Sequence, residues 1–189
     1  MGHTRKLRFA SILGAGLLAT AGMGVAVAQG GVSAHLALSG TIFNMQVGEL
    51  DGDGFSLFTD VDHMHDSDEA VSRLRIKHAQ VTDVCMTAPI KLPGIGERKF
   101  QMLVPGQNFS ADNMLIGAHK LSGDLTLINP QIGVDAHEIE PDAPDGGWGI
   151  FADSLNAKGQ GIKATSLAAD KMTAGGSKIA VVEHDNAEC

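Results

Sequence analysis

Apolar and polar residues alternate along most of the chain. Phe43, Met45 and Val47 alternate with Asn44 and Gln46, and Phe55, Leu57, Thr59 and Val61 follow with Ser56 and Asp60 between them. The pattern continues at Leu74 and Ile76, at Phe100, Met102 and Val104, at Leu125 and Leu127, at Ile132, Val134 and Ala136, and at Ile179 and Val181. A period of two is the strand period, because successive side chains point to opposite faces of a sheet. Turn residues punctuate the runs at Asp51-Gly52-Asp53-Gly54, Pro93-Gly94, Pro105-Gly106, Ser122-Gly123, Asn129-Pro130 and Gly175-Gly176. No segment after residue 28 keeps a helical stripe over three turns. The pattern predicts an all-β single domain of about a dozen short strands, as a sandwich or a coiled, partly repetitive sheet. The tetrapeptide Ala111-Asp112-Asn113-Met114 is echoed at Ala152-Asp153-Ser154-Leu155 and Ala169-Asp170-Lys171-Met172, at unequal intervals that exclude a strict solenoid. The acidic Pro/Gly stretch from Glu138 to Gly147 reads as a loop within that domain.

The first 28 residues break this pattern. Arg5, Lys6 and Arg8 precede an apolar, Gly/Ala-rich run from Phe9 that ends in Ala26-Val27-Ala28. That is the plan of a Sec-type secretory signal cleaved after Ala28, with a retained membrane anchor as the alternative. The expected division is residues 1–28 as export segment and 29–189 as one exported all-β domain.

Export changes the reading of charge and cysteine. The whole chain has 14 basic and 22 acidic residues, and the export segment takes three basic residues with it. The remainder carries a net charge of −11, which favours solubility and works against nucleic acid or an anionic membrane surface. Low aromatic content, with one Trp and no Tyr, argues against base stacking and sugar platforms. Two cysteines in an oxidising compartment, Cys85 and the terminal Cys189, read as one disulfide. Free thiols or an intermolecular bridge are the alternatives.

Chemistry is thinly signalled. The segment from Asp60 to Glu69 holds Asp60, Asp62, His63, His65 and Asp66, oxygen and nitrogen donors that suit a divalent metal. A solvated inter-strand loop explains the same composition, and no cofactor is expected. The run from Glu49 to Asp60 brushes against a calcium-loop pattern, but its strand-like flanks favour a Gly-rich hairpin turn. No G-x-S-x-G nucleophile elbow is present. His78 and His119 lie within patterned strands and are the candidate catalytic bases if the protein is an enzyme.

The chain resembles a family of small exported actinobacterial proteins often carried under the name cholesterol esterase. The matching residues are Ala28-Gln29-Gly30, Phe43 to Val47, Gly48-Glu49-Leu50-Asp51-Gly52 with Gly54-Phe55, Ala79 to Cys85, Ala111 to Met114, Leu121 to Leu125, and the terminal Cys189. The resemblance implies an exported protein, and by its name a hydrolase of steryl or other lipid esters. It supplies no nucleophile to carry over. The residues themselves favour a non-catalytic envelope protein that binds an apolar, sterol-type lipid or a surface partner, since methionine lends an apolar groove an adaptable lining.

Overall fold

The computed structural model describes residues 41–64, 67–183 and 189. Its strands are β1 (Phe43–His63), β2 (Asp68–Thr82), β3 (Val84–Leu92), β4 (Gly96–Val104), β5 (Phe109–Ile128), β6 (Gln131–Asp135), β7 (Trp148–Ala168), β8 (Lys171–Ala174) and β9 (Lys178–Val182). One short helix, α1 (Ala136–Ile139), follows β6. The predicted export segment, and the candidates His65 and Asp66, lie outside the described residues.

All pairings are antiparallel and belong to one sheet. The register shows that the nine strands are pieces of four long arms. Glu49 lies opposite Thr82 of β2 and Gln46 opposite Cys85 of β3, so β2 and β3 form one arm along β1 without a slip. β4, β5 and β6 make the third arm, which pairs β3 through β4 and β2 through β5. β7, β8 and β9 make the fourth, paired with β5 and β6, with β5, and with β4 respectively. β7 also returns to pair β1, from Phe43↔Ala164 to Phe58↔Gly149. The meander therefore closes into a four-armed barrel.

The closure is strongly staggered. A circuit from Phe43 passes to Ala164, Ala118 and Ser72, and reaches β1 again at Thr59, sixteen residues on (43 to 59). At about 3.3 Å per residue and about 4.8 Å between strands, that stagger tilts four strands well beyond the roughly 35–45° usual in barrels. It also leaves the arm ends overhanging the closed part. Two of these overhangs are β6 and the β3–β4–β9 panel.

The all-β expectation holds, in its coiled-sheet form, but the strand count and lengths differ. β1 and β7 have 21 residues each and β5 has 20. Asp51-Gly52-Asp53-Gly54 and Ser122-Gly123, expected as turns, lie inside β1 and β5. They bend the strands without reversing them. In β1, Leu50 and Gly52 face inward, Gly54 takes φ 64°, and Phe55 faces inward again. Asp83, Asn113 and Gly159 do the same with φ 51°, 50° and 58°. One left-handed residue shifts the inward phase by one and turns the strand at a barrel corner. The corners align across arms, with Gly54 falling opposite Lys77, whose Cδ stands 2.6 Å from where a Cβ would be. The Ala-Asp echo belongs to one such corner. Asn129 and Asn113, both at positive φ, donate to Asp153 (2.8 Å) and Asp170 (2.5 Å) of the echoed pairs.

Phe55, Ile76, Val81, Val84, Val104, Met114 and Ile116 fill the barrel interior. Each such side chain contributes roughly 1.5–3 kcal/mol of burial free energy. The acidic loop after β6 docks on the outer face. Phe58 packs with Ala136 and Ala143. The Ser56 hydroxyl donates to buried Glu140 (2.7 Å), and Arg75 reaches both Glu140 (3.2 Å) and Asp142 (2.9 Å). The Glu140 contact is an ion pair without an aligned hydrogen bond from Arg75 Nε. Asp135 caps α1 by accepting from the His137 amide (3.0 Å).

His137 clasps this loop, donating Nδ1–H to the Ala143 carbonyl (2.8 Å) with Nε2 3.4 Å from Asp145. The Ala143 carbonyl, aided by the charges of Asp145 and Asp135, holds the imidazolium above the ordinary histidine pKa of 6.5. A raised folded value means the contribution is complete below the unfolded pKa and lost as pH rises through the folded one. The His137→Gln variant should melt below the parent near pH 5 and together with it near pH 9. An equal loss at both pH values, by thermal melts, would exclude the clasp.

Candidate functional site

His78 sits on the outer face in a mainly polar row that crosses six strand segments, β5 twice. The row runs Ile128, Ser154, Asp53, His78, Asp112, Lys171. The next row runs Thr126, Asn156, Asp51, Gln80, Ser110, Thr173. Apart from Lys171 and Thr173 of β8, these residues line a shallow, open concavity of about 490 Å³. His78 Nδ1 donates to Asp112 Oδ1 at 2.9 Å. Asn156 Nδ2 bridges Asp51 Oδ1 (2.6 Å) and Glu49 Oε1 (2.9 Å), and Lys158 Nζ lies 3.2 Å from Glu49. The hydrogen bonds from Asn156 and Lys158, with the Lys158 charge, hold the Glu49 carboxyl below its usual pKa.

This is an oriented His–Asp pair, which a general base requires. Among the described residues no serine hydroxyl hydrogen-bonds His78, although Ser110 and Ser154 share its panel. His119, the other candidate base, stands apart at the register break between Ala118 and Lys120, with Nδ1 3.8 Å from Glu69 Oε2.

Of the candidate metal residues, the described Asp60, Asp62 and His63 have other partners. Asp60 and Asp62 accept from Arg73, and Asp62 also accepts from Thr165. His63 donates to Asp68 (2.7 Å), and that carboxylate raises the His63 pKa above the ordinary value. Among the described residues no group of three or more His, Cys, Asp or Glu side chains could hold a metal ion. The disulfide joins Cys85 of β3 to Cys189, with Cα atoms 6.1 Å apart.

A second surface carries no polar chemistry. On the β3–β4–β9 overhang the inward-facing rows continue past the barrel. One row runs Ile162, Met45, Met86, Met102, Ile179, and the next holds Ala88, Phe100, Val181. Met45 is buried and Met86 and Met102 are half-buried, but Ile179 is 64% exposed and Val181 54%. The apolar face thus emerges from the core into the open. The sequence flagged Met102, Ile179 and Val181 only as strand residues, and the missed signal was Lys178-Ile179-Ala180-Val181-Val182, an edge strand with a charge at one end alone.

Comparison with curated proteins and with solved structures finds no match. One family model matches residues 39–189, which covers the whole described barrel and both cysteines. The chain belongs to that family, the family of unknown function DUF6230.

Proposed function

We propose that the protein is an exported cell-envelope protein that binds an apolar lipid through the inner face of the β3–β4–β9 overhang. The observation that carries this reading is the continuation of the core's apolar rows through half-buried Phe100 and Met102 to exposed Ile179 and Val181. The barrel interior is occupied by its own side chains, so the ligand surface lies outside it. Methionines at Met86 and Met102 give that face adaptable contacts. Export rests on the basic and apolar N-terminal pattern.

Titration of the 29–189 form with a fluorescent sterol and a fluorescent fatty acid tests the reading. Binding should occur with at least one probe and weaken by about tenfold or more in Ile179→Asp/Val181→Asp, since two apolar side chains are lost from the contact. Binding that ignores this change would remove the overhang as the site.

The His78–Asp112 pair supports a second reading, a hydrolase of steryl or other lipid esters. It agrees with the name carried by the family the sequence resembles. Incubation with cholesteryl oleate and a short-chain ester decides it. A hydrolase should lose about a hundredfold of its turnover in His78→Ala. Absence of turnover in the parent protein would leave the binding role alone.

A further inference from the structure

We infer that the outer-face row beneath the acidic loop, residues 136–147, is a binding site for a carboxylate with an apolar substituent, and that the loop fills it in cis as a displaceable plug. The site lies on other strands than the β3–β4–β9 face and does not depend on the lipid reading of that face.

The loop is fastened to the sheet by side chains. Its backbone–backbone hydrogen bonds among the described residues all stay inside it, and the Ala136 amide closes its neck by donating to the Gly147 carbonyl (2.8 Å). That is the build of an Ω-loop, which lifts from its neck without breaking a strand pairing. His137 ties the loop to itself, through Ala143 and Asp145. The polar hold on the sheet is Glu140 on Ser56 and Arg75, with Asp142 on Arg75. The apolar hold is Phe58 against Ala136 and Ala143.

The plug fits its seat imperfectly. Arg75 Nε is buried 3.2 Å from Glu140 Oε2, yet its N–H finds no aligned acceptor. A void of about 10 Å³ remains between loop and strands, with Ser56, Phe58, Ile139, Glu140 and Ile150 in its lining. A buried donor left unpaired costs free energy that a better-placed acceptor recovers. A free carboxylate meets a guanidinium edge with two parallel hydrogen bonds. Glu140, tied to its own loop, does not.

The seat has the matching chemistry. Its row runs Phe151, Ser56, Arg75, Leu115. The Ser56 hydroxyl and the Arg75 guanidinium are the carboxylate donors. Phe58 is buried beside them, and Phe151 and Leu115 are half-buried at either end of the row. Both carboxylates that pair with Arg75 ride on the loop, so lifting the loop strips the guanidinium of its counter-charge unless another anion enters. The row holds no acid of its own. Asp60 and Asp62 are taken by Arg73, and Asp153 by Asn129. Lys77, two residues along β2 from Arg75, has no carboxylate partner among the described residues. Asp53 and Asp112 lie beyond it, on either side of His78. The opened seat is thus a positive, apolar-walled spot on an acidic barrel.

The test is amide hydrogen exchange of the 29–189 form with millimolar octanoate, with acetyl-leucyl-phenylalanine bearing a free C-terminus, and with octanol. This form contains every strand pairing and the disulfide. At least one carboxylate should speed exchange at Glu140, Ala143 and Gly147 by about threefold or more and leave Val81 and Ile116 unchanged, because a ligand in the seat holds the loop open. The stronger of the two tells a fatty acid from a peptide end. Octanol should have no effect. In Glu140→Gln, octanoate or peptide affinity by calorimetry should rise by about tenfold or more, and adding Arg75→Met should remove the gain. The exchange experiment needs no variant, so it decides the matter even if these do not fold. Unchanged or slowed loop exchange with both carboxylates, or an equal response to octanol, overturns the proposal. A response lost in Ile179→Asp/Val181→Asp would assign the ligand to the overhang and also overturn it, whereas a response kept there stands whatever becomes of the overhang reading.

Discussion

Replacing Arg73 with methionine should lower the stability of the barrel by about 3–5 kcal/mol, because it strands a buried carboxylate. Asp62 is 2% exposed at the end of β1. Its two oxygens accept from the Arg73 guanidinium and the Thr165 hydroxyl. The same guanidinium donates to Asp60 (3.0 Å) and to the Ser166 hydroxyl (3.1 Å), so one side chain ties β1, β2 and β7 together. Gly117 of β5 leaves room for the cluster, since a Cβ there would stand 2.8 Å from Asp62 Oδ2 and closer still to Ser166 and Thr165. Urea denaturation is the measurement. A variant that also replaces Asp62, Arg73→Met with Asp62→Leu, should recover part of the loss, because no charge is then left buried. A loss below about 1 kcal/mol in the single variant would mean that water reaches Asp62 and that the cluster behaves as a surface ion pair.

Cys85→Ser should cost about 2–5 kcal/mol. The bond to Cys189 spans 104 residues, so it removes a large loop-closure entropy from the unfolded chain. It also fixes the chain end that follows β9. Among the described residues β9 pairs only β4, as the edge of the overhang, with little burial of its own. The expected observation is a lower denaturation midpoint, reproduced by reducing the parent protein. Reduction that leaves the midpoint unmoved would show that the tether constrains neither state. The lipid-binding face lies on this overhang, so probe affinity should fall with the variant as well.

The sequence made the strands legible because a sheet with one buried face writes itself as alternation. Leu74 and Ile76, Phe100 and Met102, and Phe43 to Val47 all lie on strands. Pro93-Gly94, Pro105-Gly106, Asn129-Pro130 and Gly175-Gly176 all fall between strands, as read. Asp51-Gly52-Asp53-Gly54 was misleading for a physical reason. A left-handed residue is needed both where a hairpin reverses and where a long strand turns a corner. Local chemistry is alike in the two cases, and only pairing on both sides of the segment separates them. β1 is paired across Gly54 by β2 and by β7.

The candidate site was partly legible. His78 stood out because it lay inside a patterned strand. Its partner Asp112 lies 34 residues away and its row neighbour Ser154 further still, and no local signal joins them. Asp60, Asp62 and His63 looked like metal ligands because composition records donors, not their existing partners. Arg73, ten or more residues on, claims both aspartates. The two cysteines were the exception, since with two thiols there is one intramolecular pairing to make.

What the sequence determined by itself was therefore the all-β class, the cysteine pair and the acidic average, each of which depends on composition or on neighbours two residues apart. Closure of the four arms, the sixteen-residue stagger and the apolar overhang depend on register between segments far apart in the chain. Register is an energy of pairing whole faces, settled when Leu50, Val81, Phe109 and Leu155 meet inside one barrel. Only the tertiary structure could decide it, and with it which apolar rows end in the core and which run out into the open.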